Sequence, residues 1–188
     1  MDIMKKVLAL TGMPGSGKST ASETLAGLGL PVVSMGNAVR SEMRKQGIEI
    51  NDSNLRDFAA KSREKYGPDY VIKLVSSELE NAFVSSDSVV LDGARNIAEI
   101  DFLKKANYNV YLAAIVADKS TRYDRMLKRH NKSDSDSVEG LVARDAKELG
   151  FGVSELIALS DYYIVNNYDA VEEFKNSLVS LCKKLDIV

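Results

Sequence analysis

Gly12-Met13-Pro14-Gly15-Ser16-Gly17-Lys18-Ser19 has the spacing of a phosphate cradle: a glycine, four residues, then Gly-Lys-Ser, with Thr20 adding a second hydroxyl. The chemistry follows from the residue types. Glycines let the backbone turn its N–H groups inward around an anion, and a helix starting near Lys18 points its positive dipole end at the same place. Lys18 would reach the β and γ phosphates, and the Ser19 hydroxyl would bind Mg²⁺. The motif sits between a short apolar run, Val7-Leu8-Ala9-Leu10, and a helix-forming segment, which is the context this chemistry requires.

A second acidic centre lies further on. Val89-Val90-Leu91-Asp92-Gly93 reads as an apolar strand ending in a carboxylate. Such an acid helps hold Mg²⁺ directly or through water. Arg95 follows at the carboxyl end of that strand, where open parallel sheets place their ligand crevice. Arg122, Arg125 and Arg129 fall near one helical face at three- and four-residue spacing, and Arg144 lies on the next predicted helix.

These residues must be positioned by elements that alternate between strand and helix, the pattern of a mostly parallel sheet covered on both faces. Predicted strands are 6–10, 31–34, 88–92, 110–116 and 162–165. Predicted helices cover 18–28, 37–46 and 170–185, with two more inserted between roughly 53 and 85. No repeat, low-complexity tract or linker interrupts the chain. The expectation is one α/β domain over 1–188: a three-layer fold with a five-stranded parallel sheet.

Composition narrows the function classes. The 188 residues carry 25 Lys and Arg against 27 Asp and Glu, so no global basic field invites nucleic acid. No apolar run approaches the length of a membrane span, the first strand is too short for a signal peptide, and a cytoplasmic location is expected. The single cysteine, Cys182, has Leu178, Leu181 and Leu185 at helical spacing around it, which predicts packing rather than thiol chemistry.

The loop from Gly12 to Thr20, with Leu91-Asp92-Gly93-Ala94-Arg95, resembles the adenylate-kinase-like nucleoside monophosphate kinases. Ser34-Met35-Gly36-Asn37-Ala38-Val39-Arg40 is similar to that family's Gly-Asp-x-x-Arg acceptor segment. The resemblance narrows with Arg144-Asp145-Ala146-Lys147-Glu148-Leu149-Gly150-Phe151-Gly152 and Ser160-Asp161-Tyr162-Tyr163-Ile164-Val165-Asn166. Those runs look like a small, mainly archaeal group of adenylate-kinase-related ATP-binding proteins, also described as dephospho-coenzyme-A-kinase-like.

The resemblance implies a helical acceptor insertion over about 35–86 and a short lid over about 122–150. It implies that Gly36, Arg40, Gly93 and Arg95 hold the acceptor and that Lys18, Arg125, Arg129 and Arg144 act on the transferred phosphoryl group. Asn166 would contact the donor base, and Ser19 and Asp92 would hold Mg²⁺. Two departures stand out: Asn37 replaces the family's acidic residue, and Glu99 stands where an adenine-reading Gln is found.

The leading expectation is therefore transfer of the γ-phosphoryl of Mg-ATP to a nucleoside monophosphate such as AMP. A dephospho-coenzyme A kinase or other hydroxyl kinase, with Asp92 as base, is the first alternative. An ATPase or nucleotide-binding regulator is the second. His130 is expected at the lid hinge without a catalytic role.

Overall fold

A computed structural model of the chain describes residues 4–128, 137–167 and 170–188. Its centre is strand β1 (Lys6–Thr11), buried on both faces. Around it lie β2 (Val32–Ser34), β3 (Ser88–Asp92), β4 (Asn109–Val116) and β5 (Tyr162–Val165), in the order β2-β3-β1-β4-β5. Every pairing is parallel. The register sets Leu10 beside Asp92, so β1 and β3 end level and deliver the phosphate loop and the acid to one edge.

A parallel strand covered on both sides reads as a continuous apolar run because each face needs its own core. Val7 and Ala9 point into one core and Leu8 and Leu10 into the other. On the first face lie α2 (Met35–Lys45), α4 (Tyr70–Ala82), α5 (Ile97–Lys105) and the short α8 (Val153–Ala158), contributing Val39, Val75, Leu103 and Leu156. On the second lie α1 (Lys18–Gly27) and α9 (Val171–Leu185), packed through Leu25, Phe174 and Leu178. This is the expected three-layer α/β fold.

Three more helices complete it: α3 (Asp52–Tyr66), α6 (Lys119–Lys128) and α7 (Val138–Phe151). Helices α2 to α4 fill the interval between β2 and β3, and α6 and α7 precede α8 and β5. Helix α2 begins at Met35, two residues before the expected start, because the Ser34 hydroxyl accepts the Asn37 N–H and caps the turn directly after β2. Helix α5, unassigned from sequence, is nucleated by a capping box: Asn96 accepts the Ala98 N–H and the Glu99 carboxylate accepts the Asn96 N–H. Cys182 is buried in the α9 core, and burial pushes its thiol up to about 11, in keeping with packing rather than reactivity. Among the described residues no helix is long and apolar enough to cross a membrane.

Candidate active site

The phosphate loop runs from the end of β1 into α1, and its shape is held from behind. Asn166 Nδ2, just past β5, donates to the Ser16 carbonyl at 2.8 Å, and Arg122 Nη1, on α6, donates to the Pro14 carbonyl at 2.8 Å. Both supports explain glycines of the motif. Gly17 has φ +107°, and a Cβ there would run into the Asn166 amide; Gly15 has φ +78°, and its Cβ would stand 2.6 Å from the Arg122 carbonyl oxygen. Any side chain at either position forces the loop off its props as well as straining the backbone.

Above the loop is a cavity of about 180 Å³ lined by Lys18, Ser19, Gly36, Arg40, Asp92, Gly93, Arg95, Arg144 and Glu148. Lys18 and Ser19 open α1, Arg40 comes from α2, Asp92 and Arg95 flank the β3 turn, and Arg144 and Glu148 lie one helical turn apart on α7. Four cations thus face two carboxylates, Asp92 and Glu148, a balance that favours an anionic guest. Glu148 answers part of the charge, with an oxygen 3.4 Å from Arg95 Nη1.

Electrostatics at the floor follow from this crowding. Burial, then Arg95, pushes the Lys18 ammonium down to about 8, while Glu148 and Asp92 pull it back up. Lys18 Nζ donates to the carbonyls of Gly12 and Met13, the latter at 3.1 Å. Asp92 is shifted upward, chiefly by burial, and Lys18 opposes that shift.

The structure therefore brings together Lys18, Ser19, Gly36, Arg40, Asp92, Gly93, Arg95 and Arg144. Arg125 and Asn166 form a separate pair behind the loop, Arg125 Nη2 donating to Asn166 Oδ1 at 3.3 Å. The Asn166 amide is committed on both sides, so what it visibly does is brace the loop. Arg129 and His130 lie outside the described residues.

One expectation needs correction, and one departure from the family finds its physical reason. Arg122 does not share a lid surface with Arg125: it is buried, paired with Asp145 of α7 through both nitrogens at 3.0 and 2.7 Å. Glu99 is not poised to read a base. It is fully buried, taking the N–H groups of Arg95 (2.8 Å) and Asn96 (3.1 Å) and Arg63 Nη2 (2.7 Å). Arg63 carries no sequence motif that would have singled it out, and Asp145 and Glu148 lie in a run that carries the resemblance without a role attached to either. The Asn-x-x-Glu spacing of Asn96 to Glu99 is the local signal that could have revealed the α5 cap.

Comparison with known proteins fits this arrangement. Residues 11–141 match the family described as AAA domain, a span that holds the loop, Asp92, Arg40 and Arg95. A UPF0200 protein of Pyrococcus abyssi is 39% identical over 181 residues, which cover 95% of this chain and 96% of that one. The chain belongs to the UPF0200 family. Another UPF0200 protein, from Sulfurisphaera tokodaii, is 38% identical over 180 residues, covering 96% and 97%.

Among solved structures, TT1252 from Thermus thermophilus superposes on this UPF0200 chain with a TM-score of 0.66 over 97% of it and 98% of the other, at 18% identity. Shikimate kinase from Acinetobacter baumannii, in complex with shikimate, gives 0.57 over 97% and 96%, also at 18% identity. At that identity the likeness concerns the fold: this UPF0200 chain has the α/β architecture of P-loop kinases.

Proposed function

We propose that the chain is an ATP-dependent kinase that moves the γ-phosphoryl group of Mg-ATP to a nucleoside monophosphate or a similar phosphate-bearing acceptor. The observation that carries the reading is the cavity in which Lys18 and Ser19 face Arg40, Arg95 and Arg144. Cations converge there from both sides of a small space. Donor and acceptor phosphates meeting at that point repel each other, and phosphoryl transfer depends mainly on aligning them in line while their charge is neutralised.

Each group has a role in that account. The loop residues 12–17 cradle the donor phosphates with backbone N–H groups, and Lys18 leaves the Gly12 and Met13 carbonyls to pair with them. Arg40 and Arg95 grip the acceptor phosphate through planar guanidinium forks, with Gly36 and Gly93 leaving room for it. Arg144 stabilises charge that develops on the moving group, and Arg125 and Arg129 act from the donor side. Asn166 braces the loop where the donor base approaches. Ser19 and Asp92 suit Mg²⁺ because a hydroxyl and a carboxylate beside phosphates are hard oxygen ligands. When bound, the ion supplies charge neutralisation across the donor phosphates.

A hydroxyl acceptor is the second reading, supported by Asp92: a carboxyl raised by burial is a better proton acceptor than an ordinary aspartate. Steady-state ADP release with Mg-ATP and a panel of nucleoside monophosphates tests the first reading. Arg40→Ala and Arg95→Ala are expected to raise the acceptor KM at least about tenfold and leave the KM for ATP within about threefold. Equal weakening for both substrates, or none, would contradict the assigned acceptor side; turnover of a hydroxyl acceptor lost in Asp92→Asn would favour the second.

A further inference from the structure

This inference rests on the kinase reading and concerns which acceptor that site takes. Glu99 is spent on the α5 cap and on Arg63, so it reads nothing. Arg63 is in the opposite condition. Its side chain is only 9% exposed, Nη2 is used on Glu99, and Nε and Nη1 are buried without a hydrogen-bond partner. A guanidinium is a donor at every nitrogen, and buried donors left unsatisfied carry a standing penalty that only an acceptor relieves.

The surroundings say where that acceptor would come from. Arg63 lines a narrow apolar slot with Val39, Leu55 and Arg95, and it also lines an open cleft of about 490 Å³ between α3 and α7. Arg95 belongs to the slot and to the phosphate cavity. Phosphate cavity, slot and cleft therefore follow one another, joined first by Arg95 and then by Arg63. At the cleft both guanidiniums lie over the Phe151 ring, Arg63 Cζ 5.2 Å and Arg95 Cζ 5.9 Å from its centre, which holds the two arginines side by side. A molecule held by its phosphate at Arg40 and Arg95 would bring its ring toward the slot and Arg63.

We propose that Arg63 selects the acceptor, and that the acceptor is a nucleoside monophosphate whose base carries an exocyclic carbonyl, an oxopurine before adenine. Adenine turns an amino group to its surroundings at the 6 position, setting donor against donor at Arg63. An oxopurine turns a carbonyl there beside the ring N7, and arginine pairs with that edge of guanine more often than with any other base edge. Apolar contact with Val39 and Leu55 of the slot favours any base equally and leaves the choice to Arg63.

The test compares AMP, IMP and GMP as acceptors with Mg-ATP, by kcat/KM for ADP formation. AMP and IMP share a purine skeleton and differ at the 6 position. The expected result is a preference of at least about tenfold for IMP and GMP over AMP, falling toward unity in Arg63→Lys. That variant keeps a cation for Glu99 and removes the remaining guanidinium donors. Thermal unfolding verifies that the variant is folded; the wild-type ratio tests the preferred base, and the ratio in the folded variant tests Arg63. AMP used as well as IMP, or a preference unchanged in folded Arg63→Lys, overturns the assignment of Arg63 while leaving the kinase intact. Acceptor-independent ADP release with every compound overturns the kinase reading, and this inference with it.

Discussion

Lys18 shows how a single residue couples the site to pH. Its ordinary value is 10.5 and the folded chain pushes it to about 8, so between those values the unfolded chain holds a proton that the folded one has lost. Stability contributed by this residue therefore rises with pH across the window from about 8 to 10.5, and below it the full cost of a buried ammonium is carried. Nucleotide binding runs the other way, because a phosphate favours the charged form. ATP affinity should fall as pH rises through 8, and at pH 8 binding should take up roughly half a proton. Calorimetry in two buffers of different ionisation enthalpy measures that uptake; none, or the same uptake in Lys18→Met, would contradict the account.

Arg122 is the structural counterpart. Removing it leaves Asp145 buried and unpaired, a loss of about 3–5 kcal/mol, and frees the Pro14 carbonyl from its prop. Urea denaturation should show Arg122→Ala strongly destabilised and the double variant Arg122→Met/Asp145→Leu recovering much of the loss. Recovery of stability without recovery of ATP binding would separate the loop prop from the ion pair. No destabilisation in Arg122→Ala would contradict both roles.

Among the elements, α5 and α7 shape the surroundings of Arg95, the proposed acceptor side. The capping box starts α5 at the turn that carries Arg95, and Asn96 Nδ2 also donates to the Phe151 carbonyl at the end of α7. Asn96→Ala should cost about 1 kcal/mol in chemical denaturation and loosen Phe151 in the same step. A change within error would mean that the cap is dispensable.

Much of this was readable in the sequence and some was not. The loop from Gly12 to Ser19 is contiguous, and Asp92 and Arg95 sit at a strand end whose apolar run announces it. The pairs Arg122–Asp145, Arg95–Glu148 and Arg63–Glu99 join separate helices or turns, and sequence spacing says nothing of such pairings. Spacing on α6 put Arg122 and Arg125 together, whereas burial under α7 separates them. Helix α8 is too short to give a periodic signal.

At the scale of the whole molecule, the parallel sheet places Lys18, Ser19, Asp92 and Arg95 just beyond the carboxyl ends of its strands. Helices α2 to α4 and helix α7 approach that edge from the two sides. Lys147 of α7 reaches Asp57 of α3 at 2.8 Å, so the two sides touch over the cleft. Both side chains are roughly half exposed, and the pair counts for little in stability. Exclusion of water from the phosphoryl group is what separates a kinase from an ATPase, so the partition of a label on that group decides between them. The most direct measurement is the fate of the γ-phosphoryl label of Mg-ATP, with Lys18→Ala as the blank. The account predicts label on a nucleoside monophosphate, with little as inorganic phosphate and neither in the blank. Label appearing only as inorganic phosphate, at a rate indifferent to every acceptor, would contradict it and leave an ATPase.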